Sequence, residues 1–237
     1  MLSNVGNHFL SQLPVQDREV LQRHLRHVEL EQGKVLHRAG EIVEKIYFPY
    51  QGVVSYVVGM SDGRFVEAGM FGRNSVVSPG PALDGRITIN QANVQSSGSA
   101  MVADIAVVKR LASESEAVRK SLAAHEQMMT AHCQQVAACN ALHELEARLS
   151  RWLLQVSDLL RSDSLPLTQE FMSQMLGVTR SSVTMTAKRL QQAGLISYNR
   201  GMVRIVDREG LLDTCCECYG AINAHIHRLS GWSPQSS

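Results

Sequence analysis

Residues 167–190 read LTQEFMSQMLGVTRSSVTMTAKRL, and this stretch admits few folds. It parses into two short helices, about Thr168–Leu176 and Arg180–Gln192, joined by Gly177-Val178-Thr179. Thr168 and Thr179 each stand where a hydroxyl accepts an orphan N–H of the next helix. Gly177 suits the left-handed residue that stops the first helix. Phe171, Met172, Met175 and Leu176 make one apolar face, and Val183, Ala187 and Leu190 match it at i, i+4, i+7. Arg180, Ser181, Thr184, Met185 and Lys188 are left on the outer side of the second helix. A cationic, hydroxyl-bearing stripe at that place suits the DNA major groove. A helical hairpin with a merely solvated face shares the pattern, because short motifs match by chance.

The residues after the helix pair favour DNA. Leu195 to Tyr198 is strand-like, Asn199-Arg200-Gly201 is a turn, and Met202 to Val206 alternates as a second strand. Two helices and a basic-tipped hairpin make a winged helix-turn-helix. From Pro166 to Gly210 there are six Lys or Arg (Arg180, Lys188, Arg189, Arg200, Arg204, Arg208) against three acids, a balance of +3 in a chain whose total is +1. Cationic charge gathers where phosphates would be met.

The remaining sequence is that of an ordinary globular chain. Its 237 residues suffice for two modest domains. Hydrophobic residues are 44% and charged residues 19%, and ten methionines partly stand in for scarce aromatics. No run reaches the length of a transmembrane helix, and Met1–Leu13 lacks the layout of a secretory signal. The expectation is a cytoplasmic protein with no membrane partner. Five cysteines, an odd number, fit reduced thiols.

Pro14 to Arg26 reads as a short helix carrying Val20, Leu21 and Leu25 on one face. From Val28 to Ile105 short apolar runs alternate with glycine breaks, among them Gly33, Gly40, Gly52 and Gly98, and Asp62-Gly63 and Asp84-Gly85 are good hairpin turns. Such spacing means a β-sandwich or barrel, and the residues do not separate the two. Glu114 to Arg161 has neither proline nor glycine and reads as one long helix. Val118, Leu122, Met129 and Val136, with His125, His132 and Cys139 between them, make a heptad-like seam; Leu142, Leu145, Leu149, Trp152 and Leu153 continue it. The seam suits packing against a second copy of the chain, or against the chain's own sandwich. Arg161 to Ser164 is a polar linker, and Leu211 to about Leu229 is helical.

β-Structure, long helix and winged helix-turn-helix, in that order, resemble the cyclic-AMP receptor protein/FNR family of bacterial transcription regulators. The resemblance covers nearly the whole chain and is most specific at Leu176-Gly177-Val178-Thr179-Arg180-Ser181-Ser182-Val183 and at Ala193-Gly194-Leu195-Ile196. The early turns at Gly33, Gly40-Glu41 and Gly52 also resemble the family, and Cys216-Glu217-Cys218-Tyr219 resembles one of its uncharacterised subgroups. The implied fold class is α+β: an N-terminal double-stranded β-roll of the cyclic-nucleotide-binding jelly-roll type over 1–112, a dimerisation helix over 113–162, a winged helix-turn-helix over 163–212, and a tail helix over 213–237.

The resemblance also implies a homodimer on double-stranded DNA, acting with RNA polymerase. Arg180 would read bases, bidentate on guanine. Ser181, Thr184 and Met185 would set preference, with Met185 either touching a thymine methyl or packing inward. Thr168, Gln169, Thr179, Lys188 and Arg200 would hold phosphates. Ser181 and Met185 stand where the cyclic-AMP receptor pattern has Glu and a second Arg, which implies a different half-site. The effector pocket would involve Ser78, Pro79, Arg86, Asn90, Gln91 and Gln134. No acid meets a ribose there and no arginine meets a cyclic phosphate, although Arg86 lies close by. Losing one charge-assisted phosphate contact costs about 1.5–3 kcal/mol, so cyclic AMP in its usual pose is not expected. The FNR-type cluster needs N-terminal cysteines, and the first cysteine here is Cys133.

No cofactor is expected, and three alternatives stay open. Cys215 and Cys218, at i, i+3 and near Cys216, His225 and His227, are candidates for a metal or redox pair; packed thiols and exposed histidines are the favoured reading, because a structural zinc site usually shows two well-spaced ligand pairs. His125, His132, Cys139 and His143 could take metal or haem across a two-fold axis, or simply pack. A signalling module that binds no DNA is the third. An enzyme is not expected. Metal-dependent oxygenases on small barrels need a histidine-carboxylate cluster, and Val28–Ile105 holds only His37. No phosphate loop or nucleophile elbow is present.

Overall fold

The computed structural model describes residues 6–84 and 87–234. Two short helices, α1 (His8–Gln12) and α2 (Val15–Gln22), precede five strands: β1 (Arg26–Leu30), β2 (Val35–His37), β3 (Lys45–Gly59), β4 (Phe65–Phe71) and β5 (Gln91–Asp104). The strands form one antiparallel sheet in the order β1-β5-β3-β4, with β2 also on β5. Leu21 is the buried residue of α2, while Val20 is 40% exposed. This is the β-roll architecture, built on two unusually long strands. β3 and β5 span 15 and 14 residues, and their register shifts three times between Pro49 and Val54. Gly52 and Gly98, expected as breaks between strands, lie inside these two. A Cβ on Gly98 would sit 2.3 Å from the Gln51 carbonyl, and one on Gly52 would sit 2.6 Å from the Ser96 oxygen. Glycines here let the two backbones touch where the ribbon bulges and coils. The Asp62-Gly63 turn is present, closed by Met60 N–H donating to the Arg64 carbonyl at 2.7 Å. The Asp84-Gly85 turn is not reached by a strand: α3 (Pro79–Asp84) leads up to it, and Gly85 lies outside the described residues.

The single helix expected over Glu114–Arg161 is broken. α4 (Ile105–Glu114) ends at Ser115, α5 runs Glu116–Leu142, and α6 runs Leu145–Leu160. Ser115 is extended and caps α5 through its hydroxyl, accepting from Val118 N–H at 3.3 Å. His143 and Glu144 are both extended, at ψ 145° and 151°. Burial explains the second break. Eleven of the sixteen residues of α6 are buried, including Leu149, Trp152, Leu153 and Val156. A straight continuation of α5 would carry these away from the protomer. Turning the chain forgoes a few helical hydrogen bonds and encloses several large apolar side chains, each worth about 1.5–3 kcal/mol.

The heptad-like stripe of α5 also faces inward. Val118, Leu122, His125, Met129, His132, Val136 and Cys139 are all buried within the single protomer. They lie against the sheet, α3 and the C-terminal helix. Of the two partners the seam allows, the chain's own fold takes this stripe.

The C-terminal part comprises β6 (Ser164–Leu165), α7 (Gln169–Leu176), α8 (Arg180–Gln192), β7 (Ile196–Asn199), β8 (Met202–Ile205), α9 (Arg208–Thr214) and α10 (Cys218–Ser230). The expected tail helix is therefore two helices, parted at Cys215–Glu217. One core runs through α6, from Val53, Val57 and Met70 of the roll to Leu176, Val183 and Leu190 of the helix-turn-helix.

A buried carboxyl ties α6 to the roll. Glu67 of β4, 3% exposed, accepts from Trp152 Nε1–H at 2.9 Å, and its other oxygen lies 2.6 Å from Ser55 Oγ. Ser55 Oγ lies equally close, 2.6 Å, to Gln95 Oε1. A hydroxyl has one proton to give, so a neutral Glu67 completes the chain by donating its own. Burial pushes the Glu67 carboxyl up to about 7, against the opposing pull of its hydrogen bonds and of Arg151. The unfolded chain releases this proton near pH 4.5, the ordinary value, and the folded chain keeps it to about 7. The wild type therefore loses stability as pH rises through that window. Glu67→Gln escapes the loss. Urea unfolding from pH 4.5 to 7 should show the variant gaining on the wild type by on the order of 2–3 kcal/mol; a pH-independent difference would place the charged form in the core.

Candidate nucleic-acid interface

Local chemistry builds the helix pair as the sequence dictates. Thr168 Oγ1 accepts from Phe171 N–H at 3.1 Å and Thr179 Oγ1 accepts from Ser182 N–H at 3.2 Å, each capping its helix. Gly177 is left-handed at φ +66°, and Val178 N–H donates back to the Ser173 carbonyl at 3.0 Å. Met172, Met175, Leu176, Val183, Ala187 and Leu190 are buried as expected, Phe171 is half-buried, and Thr186 joins the core.

Arg180, Ser181, Thr184, Met185 and Lys188 are all exposed on one side of α8. Met185, for which two orientations stood open, points outward at 65% exposure. Thr184 Oγ1 lies 2.7 Å from Gln169 Oε1, so the first residue of α7 is held against the second helix. Thr179 Oγ1 lies 2.9 Å from Ser181 Oγ and 2.8 Å from Ser182 Oγ. These hydroxyls and the free N–H groups of the first turn of α8 form a donor-rich end. The β7–β8 hairpin turns at Arg200 (φ +45°) and Gly201 (φ +82°). Two successive positive φ values are the signature of a tight hairpin turn. A non-glycine residue there costs on the order of 1 kcal/mol, and here it sets an exposed guanidinium at the wing tip.

Two of the six cations in this segment are spoken for. Arg189 Nε pairs with Glu146 of α6 at 3.2 Å. Arg208 pairs with Asp158, whose second oxygen accepts from the Tyr219 hydroxyl at 2.7 Å. That network staples α6, α9 and α10; burial raises Asp158, opposed by Tyr219 and Arg208. Arg180, Lys188, Arg200 and Arg204 remain on the surface. Arg148, which no local sequence signal marks, anchors the site from below. It is 9% exposed, donates Nη2–H to the Leu176 carbonyl at 2.6 Å and Nε–H to Asn140 Oδ1 at 3.1 Å. A cleft of about 790 Å³ separates the helix-turn-helix from the β3–β4 hairpin, with Arg64, Arg148 and Arg180 on its walls.

Of the residues expected at an effector pocket, Ser78 is engaged within the protomer. Ser78 is buried at φ +60°, with its hydroxyl 2.6 Å from His37 Nε2 and 3.0 Å from the Tyr56 hydroxyl. Burial lowers His37 to about 4, so this ring is neutral. Pro79 opens α3, and the next residue, Gly80, gives its N–H to Glu126 Oε2 at 3.0 Å. A carboxylate of α5 thus stands where an anion would meet α3. Asn90 and Gln91 are half-buried, with Gln91 donating to Asn93 at 3.0 Å. Gln134 is exposed on α5, and Arg86 lies outside the described residues.

Of the metal or redox candidates, Cys215 points its thiol at the Leu212 carbonyl, 3.1 Å away. Cys218 meets instead Cys139, His143 and Cys216, whose ligand atoms lie within 4.8 Å of one another. His125 packs edge-on to Phe9 and bonds the Ser121 carbonyl at 2.9 Å. His132 is buried, which lowers it to about 3. Among the described residues no helix is long and apolar enough to cross a membrane.

Residues 147–214 match the Crp-like helix-turn-helix domain family, a span that opens within α6. Among solved structures, FixK2 from Bradyrhizobium japonicum is 16% identical over 81% of this chain and 98% of its own, with a TM-score of 0.69. CLP from Xanthomonas campestris, described as a c-di-GMP-responsive global regulator, is 15% identical over 81% and 99%, TM-score 0.66. TTHB099 from Thermus thermophilus, a CRP-family transcriptional regulator, is 20% identical over 89% and 100%, TM-score 0.63. At these identities the likeness is one of fold. A search of curated protein sequences returns no match. The chain has the CRP/FNR transcription-regulator fold, as its sequence implied, and carries a Crp-like helix-turn-helix domain at residues 147–214.

Proposed function

We propose that the chain is a homodimeric regulator of transcription that binds a pseudo-palindrome in double-stranded DNA, with half-sites about one helical turn apart. The observation that carries this reading is the outer side of α8. Arg180, Ser181, Thr184, Met185 and Lys188 are exposed together there, on a helix fixed by two threonine caps and flanked by an arginine-tipped wing. Arg180 reads bases, and Ser181, Thr184 and the outward Met185 tune preference. Thr168, Gln169, Thr179, Lys188 and Arg200 hold phosphates. The Thr168 hydroxyl accepts from the Phe171 N–H and has its own proton to give, and the Thr179 hydroxyl shares protons with Ser181 and Ser182. RNA polymerase is the further partner through which such a regulator acts, and the roll receives a signal whose chemistry is unassigned.

Dimerisation in this reading uses the other face of α5. Ala123, Gln127, Thr130, Gln134, Ala137 and Ala141 are all exposed and recur at alternating spacings of four and three. That is the period of a two-helix seam, and its small side chains let two helices approach closely.

Two measurements test the reading. Against a DNA sequence selected by the protein from a random pool, Arg180→Ala should lose about 1–3 kcal/mol, while Lys188→Ala should weaken all sequences alike and flatten the salt dependence by about one counterion. Unchanged binding by the Arg180 variant would remove it from base readout. Thr130→Arg, on the exposed stripe, should leave the fold intact and convert the dimer to a monomer in sedimentation. A dimer that persists would move the interface elsewhere.

A further inference from the structure

Cys139 and His143 sit at i, i+4 at the end of α5, His143 being its extended cap. Cys216 lies in the break between α9 and α10, and Cys218 opens α10. The fold brings these two pairs, distant in sequence, into one group. The sulfurs of Cys139 and Cys216 are 3.5 Å apart, and Cys218 Sγ is 3.6 Å from His143 Nδ1. All four ligand atoms lie within 4.8 Å of one another, with the three cysteines buried and His143 half-buried.

These separations have a natural scale. One tetrahedral ion with metal–sulfur bonds of about 2.3 Å and a metal–nitrogen bond of about 2.0 Å sets sulfur–sulfur edges at about 3.8 Å and sulfur–nitrogen edges at about 3.5 Å. The two observed separations fall close to those edges. An iron–sulfur cluster spreads its ligands over more than one metal atom and needs a wider cage.

The surroundings match as well. His143 Nε2 lies 3.3 Å from the Glu217 carboxylate. A proton held there leaves the Nδ1 lone pair facing the thiols, the carboxylate–histidine arrangement that orients metal ligands. Gln135 donates Nε2–H to Cys218 Sγ at 3.1 Å, a bond that favours a thiolate. Three thiolates and a divalent ion carry one net negative charge. Arg148 and Arg151 of α6 both interact electrostatically with Cys139. Arg151 is 1% exposed, and its Nε has no hydrogen-bond partner among the described residues. A buried cation in that position is balanced by an anionic centre.

We propose that Cys139, His143, Cys216 and Cys218 bind a single tetrahedral divalent ion of the zinc class, which clamps the end of α5 to the start of α10. Thiolate and imidazole donors with no open position describe a structural site. The clamp lies beside the recognition unit: Asn140, next to Cys139, holds Arg148, and Arg148 holds the Leu176 carbonyl at the turn of the helix pair. Ion occupancy fixes where α5 ends, and through those two bonds it fixes the seat of α7.

The test uses the full chain, purified reduced and without air, stripped with a chelator, then titrated with zinc(II) or cobalt(II). The expected result is one ion per protomer, with thiolate-to-cobalt charge transfer and the strong visible bands of a tetrahedral cobalt centre. Cys139→Ser and Cys216→Ser should abolish the bands, and Cys133→Ser and Cys215→Ser should retain them. Glu217→Ala should keep the stoichiometry and weaken zinc by about 10-fold, the low end for a supporting carboxylate. A folded, reduced wild type that takes up no cobalt would overturn the proposal, even if no variant folds. So would equal losses in the Cys215 and Cys216 variants, or a Cys139–Cys216 disulfide formed by a protein that binds no metal. None of these readings involves DNA, so the metal site and the regulatory reading stand or fall separately.

Discussion

The arrangement of the molecule depends on a helix with no outer side. α6 is enclosed by the roll through Trp152 and Glu67, by the helix-turn-helix through its apolar residues, and by α9 and α10 through Asp158, Arg208 and Tyr219. A helix hydrophobic on most faces must be buried, and here burial joins two parts that would otherwise be beads on a string. The price is a set of polar groups inside: the Glu67 carboxyl, whose proton burial helps to retain, and two arginines, Arg148 and Arg151, each held by specific partners. Removing one partner would strand another, which makes the join specific to this alignment of the parts.

α5 shows how one helix serves two readings of the same period. Its large apolar residues from Val118 to Val136 turn toward the sheet and the tail, Leu142 at its end is exposed, and Ala123, Gln127, Thr130, Gln134, Ala137 and Ala141 turn outward at heptad spacing. From the sequence the bulky stripe looks like the obvious seam, since hydrophobicity marks it. The protomer itself consumes that stripe. The face left exposed is small and polar, a quieter pattern than the apolar stripe.

Legibility followed range. The helix pair, its caps, the left-handed Gly177 and the wing were all readable, because each depends on residues a few positions apart. So was the class of the fold, from the order of its parts. The breaks at Ser115, His143–Glu144 and Cys215–Glu217 were not, because no proline or glycine marks them; tertiary burial decided the second. Long-range geometry also hid the mid-strand role of Gly52 and Gly98, which reads as a loop signal until the two strands are seen to touch. The four-residue thiol and imidazole group was hidden for the same reason. Cys139-x-x-x-His143 and Cys216-x-Cys218 are each plausible ligand pairs, yet local spacing pairs Cys215 with Cys218 inside the tail, since nothing local says that residue 139 meets residue 216.

The Glu126 carboxylate already occupies the Gly80 N–H that α3 would offer to an anion. An incoming anion has to evict this resident surrogate before it gains anything. An anion at this end of α3 would therefore draw its affinity from contacts other than charge.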